Sequence, residues 1–308
     1  MDLAELSFWT LVLGGAVRLA TPVVLAALGE AIVERSGTIN LGIEGMMLAG
    51  AFAGAWGASQ GGWWVGVLLA LAVGAALGVV MAGAVLWGGA NQLVVGLALT
   101  LLAAGMSTYL FQLWQPSGQD AARVPLAPGI DVPGLSSIPV IGEALFDQSL
   151  FTYLAVALVI VVAWGLRRTG AGLAVRASGD DPVRAALRGV APRRVRTLSL
   201  AAGGALAALG GCTLTVGYLG GFTDNVTGGR GYVALAAVII GRWSPVGAMA
   251  GAGVFALFDS LALQAQGGDS PIPIEIFTAL PYVMTLLVLV AVARGSAAPR
   301  ALGRPLES

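Results

Sequence analysis

Long apolar runs separated by short polar turns make up most of this 308-residue chain. Runs of about 20 apolar residues are long enough to cross a bilayer as α-helices. The pattern predicts spans at Phe8 to Leu28, Trp63 to Leu86, Leu93 to Trp114, Leu150 to Leu166, Val195 to Leu219, Val246 to Leu263 and Phe277 to Ala293. With two further, interrupted segments, it predicts an all-α integral membrane protein with about nine transmembrane helices, in a range of eight to ten.

The two interrupted segments resemble each other. Gly37 to Trp56 and Gly231 to Met249 each begin at a glycine after charged residues and continue as a short apolar stretch rich in small residues. Paired broken helices in two halves of a chain indicate an inverted repeat around a central pathway, although a Gly/Ala-rich composition produces a similar pattern by itself. Residues 231 to 241 rise only about 16 Å, so this segment is either a span or a re-entrant helix.

Glycine is frequent, with 46 residues in the chain. Small residues spaced by four along a membrane helix allow neighbouring backbones to approach closely, or they are simply filler that lipid tolerates. The pairs that predict such contacts are Gly50 with Gly54, Gly74 with Gly78, and Gly247 with Gly251.

Charge is scarce and unevenly distributed. The chain is 57% hydrophobic and 10% charged, whereas soluble domains have about 25% charged residues. Half of the 16 basic residues lie between Arg167 and Arg196, and short arginine-rich loops stay on the cytoplasmic side. We therefore expect a transmembrane domain over residues 1–295, with a cytoplasmic loop at 167–196, and a short cytoplasmic tail at 296–308. Nine passes then place the N-terminus outside and the C-terminus inside.

The composition also excludes several kinds of chemistry. The chain has no His, a single cysteine at Cys212 and no Lys, so a zinc site, a disulfide and a histidine general base are not expected. Without Lys it cannot contain the GxxxxGK[ST] phosphate-binding loop. We expect no enzymatic site, no metal, no cofactor in this chain and no nucleic acid partner. The start, MDLAELSFW, lacks the basic region of a cleaved signal peptide.

The arginine-rich loop contains a short predicted helix. Two acidic residues precede Pro182, which suits a first helical turn, and Gly189 can end the helix about two turns later. Such a helix would present one apolar face and one basic face to a soluble partner; the alternative is a solvated loop that only sets topology. The residues of this surface are Asp180, Asp181, Pro182, Val183, Arg184, Leu187 and Arg188.

Four motifs, in this order, resemble the permease subunits of bacterial ABC importers of the branched-chain amino acid, ribose and nucleoside group. They are ERSGTINLGIEGMMLAGA from Glu34, NQLVVGLALTLLAAG from Asn91, GLAVRASGDDPVRAALRGV from Gly172 and GYVALAAVIIGRWSPVGA from Gly231. The resemblance covers about residues 28 to 295. The GRWSP variant and the short chain are most similar to the smaller permease of basic membrane lipoprotein-linked nucleoside importers. The resemblance implies translocation of a nucleoside or a similar small polar solute; riboflavin, a sugar or a branched-chain amino acid are alternative cargoes.

The same resemblance implies partners and a location. Such permeases lie in the bacterial plasma membrane among lipid, cross it several times, and pair with a second homologous permease, here as a heterodimer. Cytoplasmic ATPase subunits hold the ATP, and an extracytoplasmic substrate-binding lipoprotein delivers the solute. The helix near Asp181 to Gly189 would be the coupling helix that docks on the ATPase.

Polar residues within apolar segments are candidates for the substrate pathway, because burying them in lipid is costly. Hydroxyl, amide and aromatic side chains would suit the hydroxyls and flat base of a nucleoside. As an alternative, the hydroxyls bond their own helix backbone and the acids pair between helices. In an ion-driven secondary transporter, which is the alternative function, Asp259 and Glu44 would couple the ion. The pathway candidates are Asn40, Glu44, Asn91, Gln92, Thr100, Ser107, Phe222, Tyr232, Asp259 and Gln264.

Overall fold

A computed structural model describes residues 6–115, 124–131, 141–266 and 298–306. Within these ranges the chain is mostly helical, with one small antiparallel sheet. Its elements are α1 Leu6–Arg35, α2 Ile43–Gly61, α3 Trp63–Ala82, α4 Gln92–Trp114, β1 Gly129–Asp131, α5 Ile141–Phe146, β2 Asp147–Ser149, α6 Leu150–Arg168, α7 Gly170–Asp180, α8 Pro182–Leu187, α9 Pro192–Cys212, α10 Arg230–Ile240 and α11 Pro245–Gln266. Short π-helical segments, Gly83–Trp87 and Thr213–Leu219, extend α3 and α9. In the sheet, Ile130 pairs with Gln148.

Six helices of the described residues are long and apolar enough to cross a membrane. They are Phe8–Arg35, Trp63–Trp87, Gln92–Trp114, Leu150–Arg168, Pro192–Leu219 and Pro245–Gln264. The chain is therefore a multi-pass, all-α membrane protein. The predicted span at Phe277 to Ala293 lies outside the described residues, so a total of nine passes stays a prediction.

Side-chain caps fix where several helices begin. The Asn91 Oδ1 atom accepts a hydrogen bond from the Leu93 N–H at 2.9 Å at the start of α4, and Thr169 caps α7 in the same way. Capping satisfies backbone N–H groups that have no partner within their own helix. Local sequence therefore determines the helix boundaries near these turns.

Glycines allow α2 and α3 to pack against α9 at backbone distance. A Cβ atom added to Gly74 would lie 2.2 Å from the Gly204 carbonyl oxygen, and one added to Gly50 would lie 2.3 Å from the Ala208 Cα atom. No side chain fits at these contacts, so the helices meet through their backbones. The predicted close contacts are confirmed at Gly50, Gly54, Gly74, Gly78, Gly247 and Gly251.

The helices α1 to α3 and the helices α9 to α11 form two halves of the bundle, and the last helix of each half packs against the first helix of the other. α3 packs against α9, and α11 packs against α1, while α1 and α9 contact each other at the centre. The C-terminal end of α1 lies beside the start of α9, so the two helices are antiparallel. Each is followed by a non-helical segment and then by α2 or α10. This order, with the first helices antiparallel, is the arrangement expected for an inverted repeat.

Candidate functional site

The first interruption is a non-helical segment between α1 and α2. We call residues 36–42 the break. Its backbone is held by polar side chains, because it cannot form helical hydrogen bonds. The Ile39 N–H donates to the Gln92 Oε1 atom at 2.9 Å, and the Asn40 N–H donates to the Glu30 Oε1 atom at 3.1 Å. The two predicted pathway residues Asn40 and Gln92 are both buried and both engaged in holding this segment.

Glu44 joins the two interrupted segments. Its Oε1 atom accepts hydrogen bonds from the Thr227 hydroxyl at 2.6 Å and the Gly229 N–H at 2.9 Å. Its Oε2 atom accepts from the Gly231 N–H at 2.6 Å. The carboxylate thus lies at the N-terminus of α10, where unpaired N–H groups and the helix dipole favour a negative charge. The broken segments of the two halves therefore meet, as the repeat predicts.

α10 ends beside the C-terminal end of α1. It has eleven residues and rises about 16 Å. At the turn after its C-terminal end, Trp243 donates its ring N–H to the Glu34 carboxylate, and its main-chain carbonyl accepts a hydrogen bond from the Arg35 side chain at 2.8 Å. A helix of this length is about half as long as a hydrocarbon layer of about 30 Å is thick.

The segment that leads into α10 carries exposed polar side chains. We call residues 220–229 the entry loop, in which Thr223, Asp224 and Asn225 are exposed. Tyr232, in the first turn of α10, is 41% exposed. Irregular, polar backbone is tolerated within a membrane only where it is buried in protein or faces water. We define the candidate translocation surface as Thr223, Asp224, Asn225 and Tyr232.

An aromatic cluster packs against the entry loop through Phe222. Phe222 is buried, and its ring centroid lies 5.5 Å from that of Phe52 and 5.1 Å from that of Phe111, both edge to face. Phe222 therefore positions the loop through packing. Tyr232 is the only one of the two predicted aromatic residues with a large exposed fraction.

Several other predicted pathway residues lie away from this surface. The Thr100 hydroxyl bonds the carbonyls of Leu41 at 3.3 Å and Gly96 at 3.2 Å, and the Ser107 hydroxyl bonds the Ala103 carbonyl at 2.7 Å. The bonds to Gly96 and Ala103 are the own-helix bonds of the alternative interpretation, whereas the bond to Leu41 joins α4 to the break. The remaining candidates are the exposed helix cap Asn91 and the half-buried Asp259 and Gln264 on α11.

The sequence analysis does not single out the polar run Thr223 to Asn225. A signal is present, because three consecutive polar residues stand between the apolar end of α9 and the apolar α10. That run has the composition of an external loop, and its position beside α10 follows only from the Glu44 contacts in the folded chain. Among the described residues, no group of three His, Cys, Asp or Glu side chains could hold a metal ion.

The short helix predicted after Asp181 is present as α8, and its role in coupling to an ATPase stays a prediction. The Asp181 Oδ1 atom caps it by accepting from the Arg184 N–H at 3.0 Å, and its Oδ2 atom forms an ion pair with the Arg184 side chain at 3.0 Å. Gly189, with φ of +85°, follows the helix in a conformation that suits glycine. Val183 and Leu187 are 59% and 83% exposed, so the apolar face has no cover within the described part of the chain.

A surface cavity of about 610 Å³ adjoins α8. Its walls are mostly apolar and come from α8, residues 190–193 and Leu306. The exposed side chains of Arg184, Arg188 and Arg194 lie in the same loop. An apolar face with a basic rim can receive a partner that offers apolar and acidic side chains.

The described end of the tail lies against the arginine-rich loop. The Ala301 N–H donates to the Gly179 carbonyl at 2.8 Å. The tail and the loop are therefore on the same face of the bundle, in agreement with their shared positive charge. That face is also where α1 ends, since the Gly179 and Gly37 backbones are adjacent.

A family model described as the branched-chain amino acid transport system permease component matches residues 12–292. The chain belongs to this permease family. Its motif resemblance is thus confirmed, and the family consists of transport components. A putative glucose ABC transporter permease of Haloferax volcanii is 36% identical over 265 residues, which cover 85% of this chain and 79% of that protein.

Two relatives match over nearly the whole of both chains. The permease is 33% identical to a nucleoside ABC transporter permease of Lactococcus lactis over 298 residues, or 92% of each chain. It is also 33% identical to a guanosine ABC transporter permease of Bacillus subtilis over 299 residues, or 93% of each chain.

Proposed function

We propose that this permease is a membrane subunit of an ATP-driven importer that moves nucleosides into the bacterial cytoplasm. The observation that carries this proposal is the match, over more than nine-tenths of both chains, to a nucleoside permease and a guanosine permease. Glucose is the second candidate cargo, because the putative glucose permease of Haloferax volcanii is 36% identical, although the match covers a smaller part of that protein, 79%.

The candidate translocation surface supports a nucleoside cargo chemically. A nucleoside presents ribose hydroxyls, ring nitrogens and a flat aromatic base. Asp224 and Asn225 can form hydrogen bonds with hydroxyls and ring nitrogens, and Tyr232 can stack on the base. These exposed residues lie within ten positions of one another, in the entry loop and the first turn of α10.

The energy comes from another subunit in this proposal. α8 docks through Val183 and Leu187 in a groove of a cytoplasmic ATPase, and its arginines meet acidic residues at the rim. A second, homologous permease completes the pathway, and an extracytoplasmic lipoprotein delivers the nucleoside. The arginine-rich loop and the C-terminus then face the cytoplasm, and the N-terminus faces outward.

The test is uptake by the reconstituted importer. The permease, its partner permease, the ATPase and the lipoprotein are placed in proteoliposomes with ATP available to the ATPase. We expect saturable guanosine uptake that requires ATP, is insensitive to a protonophore, and is not reduced by excess glucose. Glucose uptake without guanosine uptake would favour the sugar importer. Uptake that continues without ATP and collapses with a protonophore would instead identify a secondary transporter.

A further inference from the structure

Arg196 is completely buried and is held by three main-chain carbonyls. Its Nε–H donates to the Ser36 carbonyl at 3.0 Å, its Nη2 to the Ser178 carbonyl at 3.4 Å, and its Nη1 to the Arg304 carbonyl at 3.1 Å. A buried guanidinium is costly unless its N–H groups are bonded. These carbonyls come from the break, the end of α7 and the tail, so one side chain ties three separate segments together.

The tail bonds the next carbonyl in two of these segments. The Gly303 N–H donates to the Gly37 carbonyl at 3.2 Å, one residue after Ser36. The Ala301 N–H donates to the Gly179 carbonyl, one residue after Ser178. The end of α1 and the end of α7 are therefore bridged twice, once by Arg196 and once by the tail. We call Arg196 with residues 301–304 the clasp.

The segments joined by the clasp are in direct backbone contact. A Cβ atom on Gly179 would lie 2.2 Å from the Arg35 carbonyl oxygen. One on Gly37, whose φ is +99°, would lie 2.5 Å from the Arg196 Nη2 atom. The two segments thus meet through main-chain atoms and the bonded Arg196 guanidinium, so a movement of one is expected to be felt by the other.

The clasp lies between the surface that α8 presents and the break. α8 begins at Pro182, shortly after Gly179, and the break leads through Asn40 to the Glu44 contact with α10. We propose that the clasp transmits movement of α8 to the break and so opens or closes the translocation surface. This inference rests on the proposed function, because the movement of α8 is supplied by the ATPase.

Unpartnered polar atoms flank the clasp on both sides. The Thr38 and Ser178 hydroxyl oxygens are completely buried and have no hydrogen-bond partner among the described residues. A buried polar group without a partner is costly, so an arrangement that satisfies it would be lower in free energy at this point. A joint that changes between two states of the importer is expected to contain such groups.

The clasp can be opened in two independent ways in the complete importer. Arg196→Met removes the guanidinium, and a chain that ends at residue 298 removes the tail. The matched controls are Arg194→Met, an exposed arginine on the same helix, and a chain that ends at Leu306, which keeps every clasp contact. Guanosine imported per ATP hydrolysed is measured in proteoliposomes, with thermal unfolding of each purified variant.

We expect each opened variant to import about five-fold less guanosine per ATP than the unaltered importer, with ATP hydrolysis retained. A double variant that combines Arg196→Met with the shortened chain should import as much guanosine per ATP as either single variant, because the two changes open the same joint. Arg196→Lys should recover part of the guanosine import per ATP hydrolysed. Both controls should match the unaltered importer in this ratio.

An unchanged ratio, or a parallel loss of uptake and hydrolysis, would overturn the proposal. Independent, multiplicative effects in the double variant would overturn it as well. If Arg196→Met does not fold, the shortened chain decides the question, because it keeps Arg196 in place. An unaltered importer without ATP-dependent uptake would contradict the proposed function itself, whereas failure of the clasp alone leaves that uptake intact.

Discussion

Glu44 illustrates how a membrane protein can keep a carboxylate at depth. Its three hydrogen-bond donors are Thr227 and Gly229 at the end of the entry loop and Gly231 in the first turn of α10, and Glu44 is 5% exposed. Both oxygens are therefore occupied, and the side chain holds the starts of α2 and α10 together. We interpret Glu44 as the residue that fixes the position of the entry loop, and through it that of the candidate translocation surface.

Glu44→Gln should lower stability and transport together. The amide keeps one acceptor but places an NH₂ group against a backbone N–H and removes the charge that favours the helix N-terminus. The expected loss is about 3 kcal/mol, since a hydrogen bond to a charged group contributes about 1.5–3 kcal/mol. Thermal unfolding in detergent and guanosine uptake measure the effect. Thr227→Ser keeps the hydroxyl donor and should behave like the unaltered protein; equal results for both variants would contradict this role.

Tyr232→Ala should reduce guanosine uptake about tenfold, because stacking of a base on an aromatic ring contributes about 1–3 kcal/mol. Tyr232→Phe keeps the ring and should retain uptake. The control is Tyr109→Ala on α4, which removes another exposed tyrosine outside the candidate surface. If Tyr109→Ala and Tyr232→Ala have the same effect, Tyr232 does not contact the cargo.

At the scale of elements, α9 is the helix on which α2 and α3 assemble. The contacts are backbone to backbone and depend on glycine at each crossing. Their energy comes from close packing over a long interface, because lipid offers no hydrophobic gain to helices that associate within it.

Gly204→Ala should destabilise the bundle, because its new Cβ atom would lie 2.2 Å from the Gly74 carbonyl oxygen. Overpacking of this kind costs about 1–3 kcal/mol. Gly105→Ala, on α4, meets nothing within 4 Å and should be neutral or slightly stabilising. Thermal unfolding of the two purified variants provides the comparison; a Gly204→Ala protein as stable as Gly105→Ala would show that this crossing is loose.

Leu187→Asp should separate ATP hydrolysis from uptake while the protein still folds. Leu187 is 83% exposed, so a carboxylate there does not disturb the fold, but it places a charge in the proposed apolar contact with the ATPase. Leu187→Met, which keeps an apolar side chain of similar size, is the control. The measurement is guanosine uptake beside ATPase activity, and normal uptake by Leu187→Asp would exclude docking through this residue.

At the scale of the whole molecule, the two ends of the bundle are chemically different. Arg193 lies over the Trp87 ring at 5.7 Å, so the end of α3 and the start of α9 share one face. The last turn of α2, which contains Gln60, and the start of α3 lie at the opposite end of α3. The charge distribution therefore gives a definite expectation for orientation.

Cysteine labelling should reveal that orientation. In a Cys212→Ser background, Gln60→Cys should react with a membrane-impermeant maleimide in intact cells, and Ala171→Cys only in inside-out vesicles. Both positions are exposed, and Cys212 is buried. The reverse labelling pattern would overturn the proposed orientation of the arginine-rich loop.

Sequence patterns predicted the parts of the fold that depend on neighbouring residues. Six apolar spans, the break after Arg35, the glycine contacts and the short helix after Asp181 are all present. Hydrophobic length, helix caps and glycine spacing are local properties, so they can be read along the chain. The candidate site was predicted only in part: Tyr232 lies on the exposed surface, whereas Glu44 and Phe222 support it from within.

Composition and local spacing are enough to predict a membrane permease with interrupted helices and an arginine-rich loop, because these features depend on neighbouring residues. Tertiary structure alone decided which polar groups are satisfied. Glu44 finds its hydroxyl donor 183 residues away, and Arg196, one of eight arginines in its loop, is the one that the tail covers. Such partners come together only when distant segments fold side by side, since a hydrogen bond requires contact in space and leaves no periodic trace along the chain.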